Sequence, residues 1–107
     1  MTEIRRAWNG TLPPLPEREL EQLGGVTDGE LFQTCACFWL FRYLHATQDA
    51  ECTLMGDLCF GRFSHHLAKV DSVELTDAFA EYLRRDTVSG CDWKDYHDFV
   101  RGLERLI

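Results

Sequence analysis

The sequence predicts an all-α fold, a compact bundle of four to five helices. Two observations favour helices: apolar residues recur at helical spacing through most of the chain, and helix-capping residues precede several of the apolar segments. A third observation argues against a sheet, because no alternating strand pattern and no Asn-Gly or Asp-Gly pair between apolar segments occurs. The 107 residues are one domain's worth of chain, so we predict a single helical domain over residues 1–107.

The prolines define the first elements. Residues 1–16 contain all three prolines of the chain and are predicted to form an extended N-terminal segment. Pro16 is suited to the start of a short helix, because a proline at the first helical position loses only a donor that has no partner there. The Gly24-Gly25 pair is expected to end that helix.

Capping residues define the other helices. Thr27 and Glu30 have the spacing of a capping box, and Asp71 with Glu74 repeats it. Asp92 is predicted to open the last helix. The predicted helices cover about residues 17–23, 28–47, 50–69, 71–86 and 92–106.

Charge and cysteine content limit the classes of partner and the compartment. Eleven Lys and Arg against 18 Asp and Glu leave a formal charge of −7, the wrong sign for neutralising phosphates, so no nucleic-acid partner is expected. The five cysteines are odd in number and lie in apolar helical patterns, which favours free thiols and a cytoplasmic protein. The most apolar segment, residues 31–44, is too short for a membrane span, so the chain is not expected to cross a membrane.

The cysteines do not have the spacing of a zinc site. Cys35 and Cys37 are two residues apart in a predicted helix and therefore point to opposite faces. Cys52, Cys59 and His66 recur every seven residues, and seven residues of helix rise about 10.5 Å, too far for one ion. No metal site is predicted from these residues.

Three carboxylates form the other candidate cluster. Asp92, Asp95 and Asp98 are three residues apart, where helical neighbours can approach a common Mg²⁺. The simpler interpretation makes Asp92 an N-cap, Asp95 an acid in the first turn and Asp98 an exposed residue. We favour the simpler interpretation and assign no catalytic residue, while a magnesium enzyme remains an alternative.

The predicted second and third helices carry more apolar residues than one buried face needs. Segment 31–44 is apolar at nearly every helical angle, which is typical of a helix buried on all sides. We expect four or five short helices to leave part of it uncovered, so that another chain covers the rest. The alternative is that these aromatic residues pack a small core. The predicted interface residues are Phe38, Trp39, Phe41, Leu58, Phe63 and Leu67.

Two glycines lie inside the predicted third helix. Gly56 and Gly61 each cost about 1 kcal/mol relative to alanine, which indicates the close approach of a neighbouring helix. Asp57 follows in an apolar setting, where a carboxylate needs a partner such as an arginine or a backbone donor. With Arg62, these residues form the predicted structural motif.

Residues 54–85, about a third of the chain, carry a recognisable pattern. It consists of Met55-Gly56-Asp57, Phe60, Arg62, Phe63, Leu67-Ala68-Lys69-Val70, Ser72-Val73-Glu74-Leu75 and Ala78-Phe79-Ala80-Glu81. The pattern resembles trans-polyprenyl diphosphate synthases. It is most similar in character to the accessory subunits of the two-component enzymes, such as heptaprenyl diphosphate synthase component 1 and the small subunit of hexaprenyl diphosphate synthase.

The resemblance implies a subunit that is not catalytic alone. Catalytic members hold Mg²⁺ with two aspartate-rich helical motifs. At the expected place of the first, residues 43–49 contain one aspartate, and the second motif would lie beyond the end of the chain. The resemblance therefore implies docking on a catalytic polyprenyl synthase subunit, as a heterodimer or heterotetramer, with an influence on product length or release. It implies no cofactor in this chain and Mg²⁺ on the partner.

A different class of function is also compatible with the sequence. The apolar faces could pair with themselves and make the chain a helical homodimer that serves as a binding or adaptor module. The mass of the chain in solution distinguishes a self-sufficient dimer from a subunit that needs a catalytic partner.

Overall fold

The computed structural model describes residues 1–89 and 92–106, and in these ranges it contains six α-helices and a final 3-10 turn. The helices are α1 (Thr2–Ala7), α2 (Glu17–Gly24), α3 (Gly29–His45), α4 (Ala50–Val70), α5 (Val73–Ser89) and α6 (Trp93–Leu103), and the turn is Glu104–Leu106. No strand occurs in this part of the chain. The all-α prediction is confirmed, with six helices instead of four to five.

Side-chain caps begin three of the helices. Asp49 and Asp92 each accept a hydrogen bond from a backbone N–H in the first turn of α4 and of α6. Ser72 Oγ accepts from the backbone N–H of Leu75 at 3.1 Å and caps α5. The predicted N-cap role of Asp92 is therefore confirmed.

Two predicted capping boxes are wrong. The N-cap residue of α3 is Asp28, not Thr27, and its side chain makes no cap hydrogen bond. The Glu30 carboxylate contacts His66 of α4. Asp71 does not begin α5. It ends α4 in the left-handed conformation, with φ 56°, which leaves Ser72 as the cap of the next helix.

The N-terminal segment is not extended throughout, which corrects the prediction for residues 1–16. Thr2–Ala7 forms α1, and its Ile4 side chain is buried in the core. Arg5 of α1 donates to the Glu17 carboxylate of α2 at 2.5 Å. Six residues are too few for a stable isolated helix, so the burial of Ile4 explains why this segment is helical.

Helices α3 and α4 form the most extensive helix pair, and an aromatic cluster lies beside it. Phe38 of α3 is at its centre. The Phe38 ring centroid lies 5.0 Å from that of Phe63, 5.1 Å from that of Phe79 and 5.7 Å from that of Tyr96. These rings belong to α4, α5 and α6, so one side chain joins four helices. Within the described ranges, no helix is long and apolar enough to cross a membrane.

Candidate functional site

Three of the predicted interface residues are buried inside this chain. Phe38, Trp39 and Phe63 are all part of the core, and the rings of Phe38 and Phe63 also line the apolar cleft described below. The interface role of these three residues stays a prediction. Helix α6 covers Trp39. The indole of Trp39 packs against the indole of Trp93, with 4.9 Å between ring centroids. It also packs against the ring of Tyr96, with 5.3 Å between centroids.

The other three predicted interface residues reach the surface. Leu58 is exposed, while Phe41 and Leu67 are partly buried. Phe60 and Leu54 were not among the predicted interface residues. The ring of Phe60 lies 4.8 Å from that of Phe41, and the residue is 38% exposed. Leu54 is 70% exposed on α4.

An apolar cleft of about 250 Å³ lies between α4 and α5. Its walls are Phe38, Phe60, Phe63, Ser64, Leu67, Thr76, Phe79, Ala80 and Leu83. None of these nine residues is charged. The volume is below the roughly 300–1,000 Å³ typical of small-molecule pockets, and it suits one or two inserted apolar side chains.

A second groove, of about 570 Å³, separates the N-terminal segment from the start of α4. Its walls are Ala7, Asn9, Gly10, Thr11, Leu12, Glu51, Leu54, Met55 and Leu58. The Thr11 hydroxyl donates to the Glu51 carboxylate at 2.7 Å across one end of the groove. This groove lies on the opposite flank of α4 from the apolar cleft.

The two glycines of α4 differ in their surroundings. A Cβ on Gly56 would overlap the imidazole of His45, so the predicted close approach is confirmed there. The Asp57 carboxylate contacts His45 Nε2 at 3.0 Å, which makes a histidine its partner. Gly61 has open space where a Cβ would stand, so the prediction of a neighbouring helix of this chain is wrong at that position. Arg62 forms an ion pair with α1.

Buried thiols are unsuited to nucleophilic chemistry. Burial raises the pKa of Cys35 and of Cys59 to about 12, and that of Cys37 to about 11. These thiols stay protonated near neutral pH, and a protonated thiol is a poor nucleophile and a poor metal ligand. Cys52 is also free and buried, and Cys91 lies outside the described residues.

The candidate metal ligands are not brought together. Asp92 caps α6, and Asp95 and Asp98 are exposed on that helix. Over the described part of the chain, no group of three or more His, Cys, Asp or Glu side chains could hold a metal ion. The absence of a cofactor from this chain stays a prediction.

No family model, curated protein or solved structure matches this chain. The resemblance to polyprenyl synthase subunits therefore stays a prediction from the sequence pattern of residues 54–85. That segment forms most of α4 and α5, so it builds all the walls of the apolar cleft except Phe38.

A charged contact joins α3 to α4 near the N-terminal helix. The Nδ1 atom of His66, which is buried, lies 2.6 Å from Glu30 Oε2. The amine of Lys69 lies 3.9 Å from the other carboxylate oxygen of Glu30. The hydrogen bond with His66 holds the pKa of the Glu30 carboxyl below its ordinary value near 4.5.

We expect the Glu30 contact to make the fold sensitive to acid. A carboxyl whose pKa is lower in the folded state stabilises the fold above its unfolded pKa, and this contribution is lost as the pH falls through the folded pKa. The Glu30→Gln variant should therefore lose less stability than the wild type as the pH is lowered from about 5. Urea denaturation at a series of pH values measures the difference. Equal pH slopes for the two proteins would contradict it, and the exposed Glu21→Gln variant is the control.

Proposed function

We propose that this chain is a non-catalytic regulatory subunit of a heteromeric long-chain polyprenyl diphosphate synthase. It docks on the catalytic subunit and influences the length or the release of the product. The catalytic subunit binds isopentenyl diphosphate and an allylic diphosphate, together with Mg²⁺. The observation that carries the proposal is the apolar cleft, because the segment that resembles such subunits, residues 54–85, builds nearly all of its walls.

The chemistry of the cleft favours docking over catalysis. Its walls carry no charge, and its only side-chain polar groups are the hydroxyls of Ser64 and Thr76. Ionising an allylic diphosphate requires metal ions and basic residues at the leaving group. An uncharged aromatic cleft instead gains free energy by removing apolar surface from water, about 25 cal/mol per Å².

Phe60 is the central contact of the proposed docking surface. Its ring is 38% exposed and packs on Phe41 and Phe63, so its position is held by neighbours while one face remains open. Aromatic side chains held in this way are common anchors at protein interfaces. We propose that an apolar side chain of the catalytic subunit enters the cleft against Phe60 and Leu67.

The proposal is tested by co-expressing the chain with a catalytic synthase subunit that contains both aspartate-rich motifs. The expected result is a stable complex that makes a long polyprenyl diphosphate when given isopentenyl and allylic diphosphates. The length of the products of each subunit alone is the reference. Failure to form a complex, together with unchanged product length, would overturn the proposal.

A pair of matched variants tests whether the cleft is the docking surface. Thr76→Glu places a carboxylate in the cleft, whereas Val73→Glu places one on the same helix turn outside it. Both residues are exposed, and an acid is favourable in the first turn of a helix, so both variants should fold. We expect Thr76→Glu to abolish the complex and Val73→Glu to leave it intact. Equal effects would place the docking surface elsewhere.

A homodimeric binding module with no link to prenyl transfer is the second candidate function. The exposed leucines Leu54 and Leu58 favour it, because they lie outside the apolar cleft and need a different cover. A chain that forms a stable homodimer and binds no catalytic subunit would support this candidate.

A further inference from the structure

One edge of α4 has the residue spacing of a coiled-coil seam. Alternating steps of three and four residues connect the exposed residues Glu51, Leu54, Leu58, Gly61, His65 and Ala68. We name these six residues the α4 seam. Such spacing brings side chains onto one line of a helix, where a second helix can pack along them.

The α4 seam contains features that contacts within this chain do not explain. Leu54 is 70% exposed and Leu58 is 42% exposed, one turn apart. Gly61 costs about 1 kcal/mol inside a helix. Apart from its neighbours in the same helix backbone, no atom of the described residues lies within 4 Å of the place of its missing Cβ. A glycine at the middle of a seam allows the backbone of a second helix to approach closely.

The charges along the α4 seam are complementary to those of a second copy of the helix that runs antiparallel to it. Glu51 and Lys69 are 18 residues apart, about five helical turns, so they lie on the same side of α4. An antiparallel pair related by a two-fold axis brings the same side of both helices together. With the axis near residues 60 and 61, Glu51 faces Lys69 of the second copy, and Lys69 faces Glu51. These pairs add to the contacts within the chain, in which Glu51 accepts from the Thr11 hydroxyl and Lys69 lies 3.9 Å from Glu30.

Two residues on the opposite side of the α4 seam have positions that agree with the same two-fold axis. Asp57 and Ser64 are exposed there and lie symmetrically about residues 60 and 61. In the antiparallel pair the Ser64 hydroxyl therefore donates to the Asp57 carboxylate of the second copy. The His45 contact uses one oxygen of Asp57, and the carboxylate has further acceptor capacity.

We propose that the α4 seam binds the α4 seam of a second copy of this chain, antiparallel and with two-fold symmetry about Gly61. Leu54 then packs between His65 and Ala68 of the second copy. The partner is a second copy because the same helix supplies both halves of the charge pattern. A parallel arrangement is disfavoured, since it places Glu51 opposite Glu51. The proposal does not rest on the polyprenyl function, although Ser64 at the border of this interface also lines the apolar cleft.

Sedimentation equilibrium of the full chain without any other protein tests the proposal. The expected mass rises with concentration from 12.4 kDa towards twice that value. Glu51→Lys should raise the dissociation constant of the dimer about tenfold, because both symmetry-related Glu51–Lys69 pairs then become repulsive pairs of lysines. Adding Lys69→Glu in the same chain should restore the affinity, because every pair is then reversed. A mass of 12.4 kDa that is unchanged at millimolar concentration would overturn the proposal.

Two further variants separate this interface from other modes of association. Gly61→Glu places two bulky carboxylates, one from each copy, next to each other at the two-fold axis. We expect this variant to abolish the dimer while the helix stays folded. Gly61 is exposed and its Cβ site is open, so the fold tolerates the substitution. Glu21→Lys, an exposed charge reversal on α2, is the control and should not change the dissociation constant. A dimer that is unaffected by Glu51→Lys and by Gly61→Glu would place the interface elsewhere.

Discussion

Truncating Phe38 to alanine should lower the free energy of unfolding by about 3–5 kcal/mol. Phe38 is 1% exposed, and its ring contacts aromatic rings of α4, α5 and α6. Removing the ring leaves a cavity that four helices would have to close together, so little relaxation is possible. Since a whole domain is stable by about 5–15 kcal/mol, this variant should be close to unfolding at room temperature.

Urea denaturation followed by far-ultraviolet circular dichroism measures the effect of Phe38→Ala. Two variants serve as controls. Phe38→Leu keeps most of the volume and should cost clearly less. Phe60→Ala removes the same atoms from a ring that is 38% exposed and should also cost less. If Phe38→Ala and Phe60→Ala had the same effect, Phe38 would not be at the centre of the core.

Several helix ends could be predicted because local signals determine them. Pro16 and Gly24 delimit α2, and Asp92 begins α6 through its own side chain. At the end of α4 the local signal was ambiguous. Asp71 has the sequence context of an N-cap, but it adopts φ 56° and ends the preceding helix. Spacing alone does not distinguish these two roles.

The cover of α3 could not be predicted from its own residues. An all-round apolar helix shows that neighbours are needed, but its sequence does not say which ones. The indole of Trp93 and the ring of Tyr96, both on α6, cover Trp39, and the Tyr96 hydroxyl donates to the Cys35 carbonyl at 2.6 Å. Trp39 is therefore buried by contacts with another helix, which the residues of α3 alone do not indicate.

The exposed edge of α4 could have been predicted by helical geometry. At 100° per residue, Leu54 and Gly61 lie on the side of the helix opposite Cys52 and Cys59, which are buried. The apolar residues of this helix were predicted to exceed one buried face, but they were not divided by angle into a core side and an exposed side. Dividing the helix by angle separates the core side from the α4 seam and from the apolar cleft.

Helix α1 contributes a single buried side chain to the core. Ile4 is 1% exposed and is the one residue of α1 that reaches the core. The remaining contacts of α1 described above are ion pairs of Glu3 and Arg5 with partly exposed partners. Surface ion pairs contribute roughly 0–1 kcal/mol each, so they are too weak to hold a helix of this length.

We therefore expect Ile4→Ala to release α1 and to lower the free energy of unfolding by about 2 kcal/mol, the low end of the range for such truncations. The cost is limited because α1 can detach while α2 to α6 keep their core. Hydrogen exchange should then be fast for the amides of Thr2–Ala7 and slow for those of α3. Arg6→Ala, at an exposed position of the same helix, is the control. If Ile4→Ala and Arg6→Ala left the exchange of α1 equally slow, the burial of Ile4 would not be what folds this segment.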